Sequence, residues 1–262
     1  MRILVTGAGR AIGRATALEC TKRGHDVVAS ARDVTLLDDL DVAQRLTLDV
    51  TDDASVGAAI DAAGELDAVV NNAALQSRGP IEGYPMDQLQ AIVDTNTYGP
   101  VRVAQALIPS WRERGSGIFV NVSSIQGQVS TPLEGAYAAS KFALEAISET
   151  MKYELGHFGI RVVIIQPGYI APGMKRGAQH PGPEVYAPLI EQWEGTDSKV
   201  TGPGGRPGPE IVAHAIADAI EDPDPPLRVP VGADAEMVLG ARRQLDDAAF
   251  EAAMRATLDL RW

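Results

Sequence analysis

A single cysteine, Cys20, stands in a chain of 262 residues, so neither an internal disulfide nor a cysteine-built metal centre is available to it. Histidine is nearly as scarce. His25, His157, His180 and His214 are the whole set, and no two of them fall at a metal-ligand spacing. No apolar run approaches the roughly 18 residues of a membrane span. The opening MRILVTGAGR reaches glycine too soon for the apolar region of a signal peptide. Aromatic residues make up only 5%, and five lysines stand against 18 arginines. Positive charge as a whole is short: 23 Lys and Arg face 35 Asp and Glu, a formal net charge of −12. A surface this acidic repels polyanions, which argues against nucleic acid or an anionic membrane as its partner. What is present is 45% hydrophobic composition, enough for a large core and unlike disordered or fibrous chains. The expectation is a soluble protein of a reducing, cytoplasmic compartment, without structural metal.

Short apolar, β-branched segments recur at residues 2–6, 26–30, 45–49, 67–71, 117–122, 161–166 and, more weakly, 227–231. Longer stretches of helical period lie between them, such as 11–23 and 55–63. Strands buried on both faces read as continuous apolar runs, and their alternation with helices predicts right-handed βαβ units. The fold class is therefore α/β: a Rossmann-type doubly wound fold, with a seven-stranded parallel sheet, helices on both faces and ligands at the carboxyl ends of the strands. Residues 86–114 read as two helices broken near Gly99-Pro100, because proline clashes with a continuing helix. Residues 137–158 read as one helix, 208–221 as another, and 235–262 as an alanine-rich helical tail. Seven prolines between 171 and 209 predict a loop-rich excursion over the sheet. No boundary splits the core, so residues 1–262 are read as one domain.

The first strand runs directly into Thr6-Gly7-Ala8-Gly9-Arg10-Ala11-Ile12-Gly13 and then a helix. Glycines allow a tight turn and close backbone approach, while a helix N-terminus offers free N–H groups and a positive dipole. That combination predicts a pyrophosphate site, with an ordinary βα turn as the plain alternative. After the second strand an acidic residue would bond a ribose 2′-hydroxyl and a basic one would pair with a 2′-phosphate. Arg32 stands there, with Arg10 in the turn itself, so NADP(H) is preferred over NAD(H), although Asp33 is placed to compete for the ribose.

Tyr137 and Lys141 lie four residues apart at the start of a helix, which puts phenol and ammonium on one face. A nearby cation favours phenolate, so Lys141 is expected to draw Tyr137 toward a working acid–base range. A surface Tyr–Lys pair is the plain alternative. The wider pattern is more specific. With Thr6, Gly7 and Gly13 in the turn, Asp49 after the third strand, Asn71-Asn72-Ala73-Ala74 after the fourth, Asn96, Ser124 thirteen residues before Tyr137, and Pro167-Gly168 after the sixth strand, the chain resembles the short-chain dehydrogenase/reductase family. The resemblance covers residues 2 to about 170 and continues more weakly to 231.

That resemblance implies a catalytic tetrad of Asn96, Ser124, Tyr137 and Lys141. It implies cofactor contacts from Gly7, Gly9, Arg10, Ile12, Gly13, Arg32, Asp49, Val50, Asn72, Ala73, Tyr137, Lys141, Pro167, Gly168 and Ile170. The implied reaction moves hydride between a nicotinamide and a carbonyl carbon while Tyr137 handles the proton, Ser124 holds the oxygen, Lys141 binds ribose and Asn96 holds a water. Three positions depart from the pattern: Ala11 replaces the middle glycine, Ala74 replaces another, and Pro172 stands where a threonine often bonds the nicotinamide amide. The chain looks most like members acting on steroids, retinoids or other hydrophobic alcohols and ketones. Residues 171–209 would form the lid, with Met174, Tyr186, Leu189, Ile190 and Trp193 either lining the pocket or packing the lid down. A silent NADP(H)-binding module is the alternative function, and an epimerase or dehydratase a third that the chain length disfavours. The family commonly forms homodimers or homotetramers, here through residues 86–114 and 137–158.

Overall fold

Successive side chains of a strand point to opposite faces, and in the inner strands of this chain both sets are largely buried. The computed structural model describes residues 1–174, 179–194 and 205–262. The strands are β1 (Arg2–Val5), β2 (Asp26–Ala31), β3 (Gln44–Thr47), β4 (Ala68–Asn71), β5 (Gly117–Val122), β6 (Ile160–Pro167) and β7 (Arg228–Val231). They form one all-parallel sheet in the order β3-β2-β1-β4-β5-β6-β7. Strand order reverses between β1 and β4, which opens a crevice at their carboxyl ends.

The helices are α1 (Ala11–Lys22), α2 (Asp53–Ala63), α3 (Met86–Val93), α4 (Gly99–Arg114), α5 (Gly135–Leu155), α6 (Ala187–Glu194), α7 (Glu210–Glu221), α8 (Ala233–Gln244) and α9 (Asp247–Leu258). On one face Ile3, Val5, Val27, Val70, Val120 and Ile165 pack against α1 and α7, through Ala17, Val212, Ile216 and Ile220. On the other, Leu4, Val28, Val69, Phe119 and Val162 meet α2, α4 and α5, through Val56, Val103, Leu107, Trp111 and Met151. No helix among the described residues is long and apolar enough to cross a membrane.

The helix pair at 86–114 differs from expectation. The chain does not break at Gly99-Pro100; residues Asp94–Tyr98 wind as a π-helical segment that joins α3 to α4. Pro100 has no N–H to offer Asn96 O. The wider turn lets Gly99 N donate to Asp94 O instead, with the proline tolerated in the first turn of α4. The tail forms α8 and α9, the second capped by Asp246 through Ala249 N. Of the excursion at 171–209, the described part holds α6, whose Leu189 and Trp193 are buried with Leu133 and with Leu258 of α9. Tyr186 and Ile190 pack on that cluster. Four of the five apolar lid residues therefore anchor the lid to the tail and the loop before α5. The remainder of the expected lid, 175–178 and 195–204, lies outside the described residues.

Candidate active site

The crevice end of β1 continues into the glycine turn. Gly7 has φ +66, and a Cβ there would lie 2.9 Å from Ala73 Cα. A Cβ on Gly13 would lie 2.4 Å from both Asn72 Nδ2 and Gly7 O, so only glycine lets α1 start against the turn. The turn is tied to β4 by side chains: Thr6 Oγ1 accepts from Asn72 N (3.0 Å) and Ala73 N (3.1 Å). In return Asn72 Nδ2 donates to Thr6 O (2.9 Å) and Gly7 O (3.1 Å). Asn72 thus acts by shaping the turn. Ala11, at the position of the absent glycine, sits at φ +44, in the left-handed region that glycine favours. No side chain caps α1, whereas Asp52 caps α2 and Asp246 caps α9. The leading amides and positive dipole end of α1 are left for an anion, which is what a dinucleotide pyrophosphate needs.

Arg10 and Arg32 are exposed beyond β1 and β2, and neither forms an ion pair among the described residues. Asp33 Oδ1 instead accepts from Thr35 N (3.1 Å) and Oγ1 (2.7 Å), capping the 3₁₀ turn Val34–Leu37. Asp49 accepts from Thr51 N (3.0 Å) and Oγ1 (2.7 Å). Partial burial works against its charge, but those bonds and the charges of Arg32 and Arg102 hold the carboxyl below its usual range. The side chains of Ile12 and Ile170 join the core on the α1 side, and Val50 joins the opposite core. Their side chains are thereby committed, wholly or in part, to core packing.

The expected tetrad converges from three elements. Ser124, just past β5, accepts from Gln126 N (3.1 Å) to cap the turn Ile125–Gly127, which orients its hydroxyl. That hydroxyl neighbours the Tyr137 phenol in the first turn of α5 and favours its ionised form. Lys141, one turn on, donates from Nζ to Val122 O (2.8 Å) and lies 5.7 Å from the Tyr137 ring centre. Tyr137 is 6% exposed and Lys141 2%. Burial pulls the Lys141 ammonium down to about 8, opposed by the charge of Glu145. Burial pushes the Tyr137 phenol above its ordinary value; the neighbouring Ser124 hydroxyl opposes this and the Glu134 charge adds to it. In the protein alone, desolvation outweighs the lowering expected from Lys141. Asn96, in the π-helical segment, accepts from Leu75 N (2.7 Å) and donates to Leu75 O and Ser140 Oγ (both 2.9 Å). Both its amide protons are engaged, so a water held there would donate to the second lone pair of Oδ1 or to the Asn96 backbone oxygen.

Pro167 ends β6, and Gly168 N donates to Val231 O (3.0 Å). A Cβ on Gly168 would lie 2.2 Å from both Asp234 carboxylate oxygens, and Tyr169 N donates to Asp234 Oδ2 (2.6 Å). Asp234 therefore shapes the strip beside the site, a role that no sequence motif announced. A buried cluster before Tyr137 was also missed. Glu134, fully buried, accepts from Gln76 Nε2 (2.8 Å) and pairs with Arg78 Nε. Burying a charge is favourable only with such partners. Isolated polar residues in loops carry no periodic signal, so only the end of β4 and the start of α5 placed close together reveal them. Among the described residues no cluster of His, Cys, Asp and Glu could hold a metal ion.

The model of the short chain dehydrogenase family matches residues 1–181. The chain is 32% identical over 248 residues to retinol dehydrogenase 8 of Homo sapiens, covering 86% of this chain and 79% of that one. A short-chain dehydrogenase from Streptomyces avermitilis superposes with a TM-score of 0.82 at 32% identity, covering 97% of each chain. A gluconate 5-dehydrogenase from Burkholderia cenocepacia, solved with NADP and tartrate, gives a TM-score of 0.68 at 29% identity, covering 83% and 86%.

Proposed function

Because the chain belongs to the short-chain dehydrogenase/reductase family of oxidoreductases, we propose that it interconverts an alcohol and a ketone or aldehyde with NADP(H), using Tyr137 as the acid and base. The observation that carries this reading is the buried Tyr137 phenol beside Ser124, with Lys141 Nζ 5.7 Å from its ring. The uncapped start of α1 and the Gly7–Gly13 contact with Asn72 fit a pyrophosphate, and Arg10 and Arg32 fit a 2′-phosphate. Once bound, the cofactor supplies or accepts the hydride.

The chain's own groups do the rest. Tyr137 Oη gives its proton to the carbonyl oxygen in reduction and takes it back in oxidation, and its raised pKa favours the protonated donor at neutral pH. Ser124 Oγ, already aimed by Gln126 N, holds that oxygen. Lys141 uses one of three protons on Val122 O and keeps two for ribose hydroxyls. The described residues 171–174, 179–194 and 205–209 act as a lid over one domain, and exposed Tyr98, Phe142 and Tyr153 suit a homodimeric or homotetrameric contact. The test is absorbance at the nicotinamide band with NADPH or NADH and a panel of ketones. Tyr137→Phe should abolish turnover while leaving NADPH binding intact. Arg32→Ala should lower the NADPH preference at least tenfold. Near-normal turnover of Tyr137→Phe would refute the assignment.

A further inference from the structure

The buried cluster before α5 has a feature the redox reading does not use. Arg78 and Gln76 follow β4 at the carboxyl edge of the sheet, and Glu134 stands three residues before Tyr137. Glu134 is 0% exposed, so it touches no substrate. Its carboxylate is occupied by Gln76 on one oxygen and by Arg78 Nε on the other. The Arg78 side chain is 13% exposed. Its two terminal nitrogens hydrogen-bond to no described residue, and neither is among the buried unpartnered atoms. A guanidinium held through Nε by a fixed carboxylate presents its outer pair of N–H donors in the planar fork that binds a second carboxylate. The Arg78 backbone is pinned as well. Gly79 N donates to Leu133 O (2.9 Å), and His180 N, in the returning lid, donates to Arg78 O (2.8 Å). The fork thus sits where the lid, the loop after β4 and the start of α5 meet.

We propose that Arg78 is a specificity-determining residue of this site and that the carbonyl substrate carries a carboxylate. Glu134 is its positioning residue. Glu134 already balances the unit charge of Arg78, so a bound monoanion leaves the cluster with one net negative charge and a dianionic phosphate would leave two, which favours the monoanion. The low-dielectric surroundings strengthen the contact. The apolar lid residues Leu189 and Trp193 are buried on the tail and the loop before α5, which leaves polar groups such as the Arg78 fork, where the lid returns, to choose among substrates. The inference rests on the redox reading above, with Tyr137 acting at the carbonyl.

The test uses the full chain with NADPH and a series of oxo acids, with the carbonyl two to five carbons along the chain, each beside its methyl ester. The ratio of kcat/KM for acid over ester should exceed ten for at least one length, and Arg78→Leu should lower that ratio at least tenfold. Arg78→Lys should restore part of it. Arg78→Leu leaves Glu134 buried without its cation, so the double variant Arg78→Leu/Glu134→Gln, checked for folding by circular dichroism, is measured in parallel. Esters preferred at every length, or a ratio unmoved in both variants, overturns the proposal. Calorimetric binding of the same acids to NADPH-loaded Tyr137→Phe separates the two readings. Acid binding that depends on Arg78 without turnover by the wild type counts against the redox reading alone; no acid binding to the loaded protein overturns the role of Arg78.

Discussion

Replacing Ala11 by glycine should stabilise this protein. Ala11 is held at φ +44 in the phosphate-binding turn, and a non-glycine residue there costs roughly 1–2 kcal/mol. Glycine removes that strain but adds unfolded-state freedom worth about 0.4–1 kcal/mol. The net expectation for Ala11→Gly is a gain of about 0.5–1 kcal/mol, or about 1–4 °C in Tm for a chain of this size. NADPH should bind as tightly or more tightly, because the methyl group beside the α1 amides is gone. Gly13→Ala is the contrasting change: its Cβ would lie 2.4 Å from Asn72 Nδ2 and Gly7 O. Forcing an atom into that contact costs about 1–3 kcal/mol, and moving α1 back from the turn weakens cofactor binding. Urea unfolding with and without NADPH measures both variants. If Ala11→Gly loses more than about 0.5 kcal/mol, the strain argument is wrong.

Lys141 predicts a pH-dependent stability. Its folded-state pKa is lowered to about 8 from 10.5, so the unfolded chain holds the proton longer and this contribution to stability rises across that interval. It is lost as pH falls through 8. Lys141→Met should erase that rise, seen as a stability difference between the two proteins that changes from pH 8 to pH 10; parallel curves would refute it. Cys20 is 0% exposed and burial pushes its thiol up to about 12, so a thiol reagent should label it only as fast as the protein opens. Labelling at the rate of a free thiol would contradict this. Trp111 is 1% exposed, donates to Leu66 O (2.7 Å) and packs on Phe119 at 4.5 Å between ring centres. Trp111→Ala should cost about 3–5 kcal/mol by chemical denaturation, and a loss below about 1 kcal/mol would mean the site collapses around the gap.

Much of the architecture is legible in one dimension because local chemistry repeats. Runs such as ILV within RILVT and IFV within GIFVNV are apolar without alternation because the strands they form are covered on both faces, so the inner strands stand out and the last strand shows more weakly. The glycine turn is legible because Gly7 and Gly13 sit where backbone meets backbone and no side chain is admitted. The Tyr137–Lys141 pair is legible because four residues make one helical turn. Other features follow from contacts between distant parts of the chain, and no period encodes those. The π-helical joint at Asp94–Tyr98 balances the missing N–H of Pro100 against continuous packing of α3 and α4. The raised pKa of Tyr137 reflects how completely the fold removes it from water. Glu134 and Arg78 are 56 residues apart, and Asp234 and Tyr169 are 65 apart. Only the three-dimensional meeting of the strand ends with α5 and α8 makes each pair a unit. A carboxylate or guanidinium read alone in sequence is a solvated surface charge; buried against its partner, it becomes part of a site.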